Sequence, residues 1–284
     1  MSSDTSPLAN DTQTVGFIGG GHMASAIVGG MLRHGFSATA IMISEPSADQ
    51  RRALATAFAG VQLSDDSAAV VAAADVVVLA VKPQILPQLC RQLRARTDQR
   101  QLWLSIAAGV QTAAIGRWLG KNVPLIRAMP NQGAALGLSA TGLFANPHCT
   151  AGDREQAEHI MSAIGAAHWV DEEVLVDAVT ALAGSGPAYV YLLLEAMQRA
   201  GEALRLTPDV AHAMTVQTAT AAAAIAAGGE PLCELRARVT SPGGTTAAAT
   251  EYLEQNDFAA LVGGAIETAF ARAQSLAQAA DEEH

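Results

Sequence analysis

The sequence predicts an α/β protein: a doubly wound, mostly parallel sheet over residues 14–170, then an all-helical domain over 171–284. Three observations carry that expectation. Short apolar runs alternate with helical patterns through the first 170 residues, the mark of strand–helix–strand crossovers. One stretch, Asp75-Val76-Val77-Val78-Leu79-Ala80-Val81, is a continuous β-branched run, as in a strand buried on both faces of a parallel sheet. Beyond Val170 strand signals vanish and helical periodicity takes over.

Length and composition fit two domains. The chain has 284 residues, half of them hydrophobic and only 4% aromatic. Alanine is abundant, which suits helices packed closely through small contact residues. The formal net charge of -10 argues against a nucleic-acid groove or an anionic membrane surface as partner. An anionic ligand must therefore be held by local basic residues and backbone N–H groups. Cys90, Cys149 and Cys233 are isolated and form no C-x-x-C pair, which points to a reduced, cytoplasmic setting. Residues 1–13 read as a disordered leader without a signal-peptide pattern. No uninterrupted apolar run reaches the ~20 residues of a membrane span. The alanine-rich stretch Ala219–Ala227 reads as a buried helix.

Thr14–Ile18 is the first expected strand, and it runs into Gly19-Gly20-Gly21-His22-Met23-Ala24. Read as G-x-G-x-x-A, Gly19 permits a tight turn and Gly21 lets backbone approach a pyrophosphate. Ala24 lets the helix pack on the sheet. The helix Met23–Arg33, with Ala26, Ile27, Met31 and Leu32 turned inward and Gly35 closing it, aims its free N–H groups and dipole at that anion. A glycine-rich turn alone would explain the loop. The second strand, Ala40–Ser44, ending at Glu45, supplies the rest of a dinucleotide-binding unit. A carboxylate there meets the adenosine ribose hydroxyls of NAD, whereas Arg51 or Arg52 could pair the 2′-phosphate of NADP. The sequence leaves that choice open.

Further alternation follows. Val61–Leu63 is a strand and Asp66–Ala73 a helix. The Asp75–Val81 run ends in Lys82-Pro83-Gln84, which places Lys82 at a strand's carboxyl end, where ligands of such sheets bind. Leu86–Leu93 is a helix, Leu102–Ile106 a strand, Thr112–Leu119 a helix and Val123–Met129 a strand. That strand leads to Pro130-Asn131, where an amide could orient a nicotinamide carboxamide or a substrate. Strands Leu138–Phe144 and Ala167–Val170 bracket a helix near 152–164.

The helical part is read as Glu173–Leu182, a break at Gly184-Ser185-Gly186-Pro187, Tyr189–Leu204, and Pro208–Ala227 capped by Thr207. Glu234–Arg238, a helix ending near Leu253, and Phe258–Gln278 capped by Asp257 complete it.

No H-E-x-x-H, cysteine pair or G-x-S-x-G elbow is present, so neither a metal site nor a serine hydrolase is expected. Gly184-Ser185-Gly186 precedes Pro187 and reads as a turn seating the next helix. Val239-Thr240-Ser241-Pro242-Gly243-Gly244-Thr245-Thr246 is different. Hydroxyls, glycines and a helix start converge there, a second anion site suited to a small carboxylate. Simple capping needs only one Ser or Thr.

These stretches, together with Ala80-Val81-Lys82-Pro83-Gln84, Arg127-Ala128-Met129-Pro130-Asn131 and Ala183-Gly184-Ser185-Gly186-Pro187-Ala188-Tyr189, resemble pyrroline-5-carboxylate reductases over nearly the whole chain. Departures are His22, where Asn is common, Thr250, where an aliphatic residue is usual, and Glu45, which runs against the family's frequent NADPH preference. The resemblance implies a Rossmann-like domain followed by a helical dimerisation domain. It implies hydride transfer from NADP(H) or NAD(H) to the ring imine of 1-pyrroline-5-carboxylate, giving proline, in a homo-oligomer built from dimers.

By motif, the resemblance assigns cofactor contacts to Gly19, Gly20, Gly21, His22, Met23, Glu45, Ala80, Val81, Lys82, Pro83 and Asn131. The substrate carboxylate falls to Ser241, Gly243, Gly244, Thr245 and Thr246, and the Thr246 hydroxyl to the ring nitrogen. Two other readings stay open: a reductase of another small imine or keto acid, and a non-catalytic dinucleotide-binding sensor. The helical domain contains no lysine, which disfavours relatives with a lysine acid. A sensor has no reason to carry the Ser/Thr-rich second anion site.

Overall fold

The computed structural model describes residues 13–98, 100–120 and 122–282. The leader expected at 1–13 lies, Gln13 apart, outside them. Two compact units are present. The first holds residues up to Gly184 together with those from Ala269 onward, and the second holds Ser185–Thr268.

The first unit is built on an eight-stranded sheet. Its strands are β1 (Val15–Ile18), β2 (Ile41–Ser44), β3 (Gln62–Ser64), β4 (Val76–Leu79), β5 (Leu102–Ser105), β6 (Leu125–Met129), β7 (Ser139–Ala145) and β8 (Gly165–Trp169). They lie in the order β3-β2-β1-β4-β5-β6-β7-β8. All neighbours are parallel except β6 and β7, whose register pairs Arg127 with Phe144. This is the mostly parallel, doubly wound sheet that the alternating pattern predicts, and its order reverses between β1 and β4. The expected strands are all present, with ends shifted by at most two residues. The Asp75–Val81 run narrows to four strand residues, because β1 ends at Ile18 and offers no ladder beyond the bond from Ala80 N to Ile18 O, 2.9 Å.

Two cores follow from the pleat. Successive side chains of a strand point to opposite faces. Val76 and Val78 of β4 therefore join Phe17, Leu102, Leu104 and Ile126 on one side. Val77 and Leu79 join Ile18, Trp103 and Leu125 on the other. Both faces are roofed by helices, which is why these strands are uniformly buried rather than alternating with polar residues.

Helix α1 (His22–Arg33) covers the first face with Ala24, Ile27, Val28 and Met31, spaced for one stripe. Ala26 and Leu32, expected inward, sit at its margin. Gly35 closes the helix at φ +88°, as expected. Gly30 is a contact point: a Cβ there would meet Ala163 O at 2.5 Å. Helices α2 (Ala48–Ala57), α3 (Ser67–Ala73), α4 (Leu86–Leu93), α5 (Thr112–Leu119) and α6 (Ala151–Ser162) complete the layers. Thr150 and Asp153 form a reciprocal capping box at α6.

The sheet ends at Trp169, in line with the change of pattern near 170, but the compact unit runs on to Gly184. It does so because α7 (Val174–Val179) is pinned to β6 by Arg127. The Arg127 guanidinium, 1% exposed, donates to Asp177 at 2.6 Å. Glu173 lies 3.9 Å from it and accepts from the N–H and hydroxyl of Thr112, at 2.6 and 2.8 Å. A π-helical turn, Thr180–Gly184, follows α7 and widens the chain path before the expected break at Gly184-Ser185.

The second unit is helical: α8 (Gly186–Ala203), α9 (Pro208–Ala226), α10 (Leu232–Arg238), α11 (Thr245–Gln255) and the first turns of α12 (Phe258–Glu282). Close packing through small residues is visible where a Cβ on Gly201 would lie 3.3 Å from Ala211 Cβ. One expected cap differs. Thr207 stands at the start of α9, yet its hydroxyl caps nothing there, the extended backbone and Pro208 sufficing. Asp257, at a left-handed φ of 55°, directly precedes α12, and its carbonyl accepts from Leu261 N at 3.0 Å. The stretch 221–225, expected to be buried, is exposed in the single chain, because α9 buries only Ala211 and Thr215. By length and composition alone, the helical run Val174–Ala203 could cross a membrane.

Candidate active site

The first half of the site forms where the strand order reverses. Gly19 N donates to Ser44 O at 2.8 Å, so the loop leaves β1 tight against β2. Gly19 has φ +104°, and a Cβ there would stand 2.7 Å from Ala80 O and 3.0 Å from Val81 Cγ1. Only glycine fits, and the clash partners are the residues the sequence assigned to the same crevice. Gly20 is buried; a Cβ on it would meet Leu54 at 2.6 Å.

Gly21 is the reverse case. It is exposed, starts α1 without any capping side chain, and a Cβ on it would touch nothing within 4 Å. No acidic residue occupies the first turn, where His22 and Met23 sit. Free N–H groups, the positive end of the dipole and open space beside Gly21 thus coincide, which fits a pyrophosphate.

Glu45, at the end of β2, is fixed by two backbone donors. Its Oε2 accepts from Gly20 N at 3.0 Å and its Oε1 from Ser47 N at 2.9 Å. The two arginines weighed as phosphate partners have other contacts. Arg51 donates to the carbonyls of Glu45 and Pro46, at 2.6 and 2.9 Å, and lies 3.5 Å from Asp65. Arg52 pairs with Asp49 on the exposed face. Gln50, which sequence reasoning passed over, donates to Gly20 O at 2.8 Å and holds the loop from below. Its signal was its place in the first turn of a helix that Ser47 opens.

Ala80, Val81, Lys82 and Pro83 leave β4 beside the glycine loop. Lys82 is exposed, with extended backbone that starts a short turn at Pro83. Asn131 lies two residues beyond β6, and its amide makes contacts within the fold. Nδ2 donates to Ala183 O at 3.0 Å, and Oδ1 accepts from Gly133 N at 3.0 Å. It ties the strand's end to the π-helical turn.

The second unit carries the Ser/Thr-rich turn expected as a second anion site. Gly243, at φ +71°, turns the chain into α11, whose start at Gly244 has no side-chain cap. Gly244 N is taken by Ser241 O at 3.0 Å, which makes the turn compact. Thr240 bonds back to Arg236 O at 2.6 Å. The Ser241, Thr245 and Thr246 hydroxyls make no such bond among the described residues. A helix N-terminus and three free hydroxyls are therefore collected on one turn, suited to a carboxylate and a neighbouring polar atom. Thr250 is not part of this; it bonds back to Thr246 O and Ala247 O.

Residues 173–276 match the family model of pyrroline-5-carboxylate reductase dimerisation, and residues 14–109 match that of NADP oxidoreductase coenzyme F420-dependent. The chain is 45% identical over 268 residues to a pyrroline-5-carboxylate reductase of Pseudomonas aeruginosa, covering 94% of this chain and 98% of the relative. It is 35% identical over 271 residues to a pyrroline-5-carboxylate reductase of Pisum sativum, covering 95% and 98%. A solved pyrroline-5-carboxylate reductase from Coxiella burnetii superposes with a TM-score of 0.89 at 40% identity, over 93% of this chain and 98% of that one.

Proposed function

Because this chain belongs to the pyrroline-5-carboxylate reductase family, we propose that it reduces 1-pyrroline-5-carboxylate to proline with a nicotinamide dinucleotide, the last step of proline synthesis. The observation that carries the reading is the Thr/Ser-rich start of α11. A dinucleotide-binding protein that did no chemistry would have no use for a second anion site with three unbonded hydroxyls.

The bound dinucleotide supplies the hydride. Gly19, Gly20 and Gly21 present the start of α1 to its pyrophosphate, with His22 and Met23 in the first turn. Glu45 receives the adenosine ribose, while Ala80, Val81, Lys82 and Pro83 wall the crevice. Asn131 acts as a positioning residue at the crevice edge. In the substrate site, N–H groups of Thr245 and Thr246 and the Ser241 hydroxyl hold the carboxylate, and Gly243 and Gly244 shape the turn. The Thr246 hydroxyl hydrogen-bonds the ring nitrogen, which gains its full proton as the imine carbon is reduced. The imine is basic enough to be partly protonated near neutral pH, so positioning does most of the work, and good placement contributes ~7–11 kcal/mol.

The second unit exposes Val190, Leu192, Leu193, Val210, Met214 and Val216 in the single chain. Such a surface marks an interaction face, and a second copy of this chain covers it, in keeping with the dimerisation match. That reading also accounts for the apolar length of Val174–Ala203 without a membrane. The dinucleotide domain is assigned to 14–170 and the substrate and dimerisation domain to the chain from 171, although the compact sheet unit continues to Gly184 and resumes at Ala269. The setting is the cytoplasm, where isolated thiols stay reduced.

The test is oxidation of NADH and NADPH followed optically, with and without 1-pyrroline-5-carboxylate, alongside small keto acids. Proline formation that depends on the cyclic imine is expected. Turnover of keto acids alone, or cofactor binding without turnover of any substrate, would overturn the proposal.

A further inference from the structure

We propose that Glu45 makes this chain select NADH over NADPH, an inference that rests on the dinucleotide reading of the glycine loop. Where the two cofactors differ, at the 2′ position of the adenosine ribose, one offers a hydroxyl and the other a phosphate of about -1.5 to -2 charge. A sheet of this order receives that ribose at the end of β2, and β2 ends at Ser44.

The groups found there are of one kind. Glu45 presents a carboxylate, and it is held in place. Its two oxygens accept from Gly20 N at 3.0 Å and Ser47 N at 2.9 Å. Neither backbone donor is left for a phosphate at this corner, because the carboxylate occupies both. Rotating the side chain away to admit a phosphate would leave two N–H groups unpaired, of which Gly20 N is in a buried residue.

The cations that could compensate are committed. Arg51 is drawn under the loop by the carbonyls of Glu45 and Pro46 and faces Asp65, with 24% of its side chain exposed. Arg52 pairs with Asp49 on the outer face of α2. A ribose diol, by contrast, donates hydrogen bonds, and an ionised carboxylate whose position is already fixed is its natural acceptor. Charge, donor count and preorganisation all favour the unphosphorylated cofactor.

Binding of adenine fragments to the full-length protein separates this inference from catalysis. Calorimetric titration with ADP-ribose and with its 2′-phosphorylated counterpart is expected to favour ADP-ribose by about tenfold or more. Glu45→Gln keeps the size of the side chain but removes its charge, and should cut that ratio by about tenfold. The ratio of kcat/KM for NADH over NADPH should move the same way.

Equal or tighter binding of the 2′-phosphorylated fragment by the unaltered protein would overturn the inference while leaving the dinucleotide site intact. So would a Glu45→Gln protein with an unchanged ratio. Binding of neither fragment would overturn the dinucleotide reading itself, and this inference with it.

Discussion

Replacing Asp177 with alanine should unfold the sheet unit at a markedly lower temperature. Arg127 is 1% exposed and Asp177 nearly as buried, so the guanidinium cannot turn to water when its partner is removed. Glu173, the other carboxylate near it, is 3.9 Å away and already accepts two bonds from Thr112. Among the described residues, Nη1 of Arg127 has no hydrogen-bond partner even with Asp177 in place, so little is available to compensate.

Breaking a buried pair by removing one partner costs about 3–5 kcal/mol. In a unit of this size each kcal/mol lowers Tm by about 2–4 °C. The expected loss is therefore roughly 6–20 °C, measured by calorimetry at one protein concentration because association shifts Tm. The companion variant Arg127→Met with Asp177→Leu replaces the pair by apolar groups and should recover most of the loss, since such replacements are often neutral or stabilising. A drop of less than about 2 °C for Asp177→Ala would refute the reasoning. So would a double variant whose loss equals the sum of the two single losses, because the two groups would then not be coupled.

Other expectations follow from the same geometry. Thr246→Ala should keep the fold and dinucleotide affinity but lower kcat/KM about ten- to a hundredfold, the worth of a hydrogen bond to a charged group; an unchanged rate at saturating imine would remove Thr246 from the mechanism. Gly21→Ala and Gly30→Ala should behave oppositely. A Cβ at Gly21 meets open space, so stability should hold within a few tenths to about 1 kcal/mol while fragment binding weakens. A Cβ at Gly30 meets Ala163 O at 2.5 Å and should cost about 1–3 kcal/mol with binding retained. Burial pushes the Cys90 thiol up to about 12, and burial, then the Asp153 carboxylate, pushes that of Cys149 up to about 11. Above the ordinary thiol range, near 8.5, the unfolded chain loses these protons while the folded one keeps them. Stability should therefore fall as pH rises from about 9 toward 12, and urea midpoints for Cys90→Ala should decline less steeply over that range.

What could be read from the residues alone was what is encoded locally. The glycine loop, the carboxylate ending β2 and the β-branched run of β4 each carry their own signal over a few neighbours. The alternation that joins them announces a doubly wound sheet, though not its strand order. Strand ends were less visible, because Ala80 and Val81 continue the apolar run while their pairing depends on where β1 stops. Arg127 was seen only as part of a motif, and Asp177 not at all, since their bond spans fifty positions and has no periodicity. Asn131 was assigned a ligand because it lies just beyond a strand's carboxyl end. The carbonyl of Ala183 that engages its amide is exposed to it by a π-helical turn that no sequence pattern announced. The exposure of residues 221–225 in the single chain was misread because an alanine-rich helix carries the same pattern whether or not its own chain covers it.

The last helix bears on how the protein is made. Residues from Ala269 onward belong to the sheet unit, although Ser185–Thr268 separates them from the rest of it in the chain. There Ala273 and Ala277 are buried, and Leu276 comes so near Gly109 that a Cβ on the glycine would be 3.1 Å away. During synthesis the sheet must therefore wait. Its surface around Gly109 leaves the ribosome uncovered and stays so until the final turns of the polypeptide emerge. A fragment stopping at Gly184 would lack the turns that cover this surface.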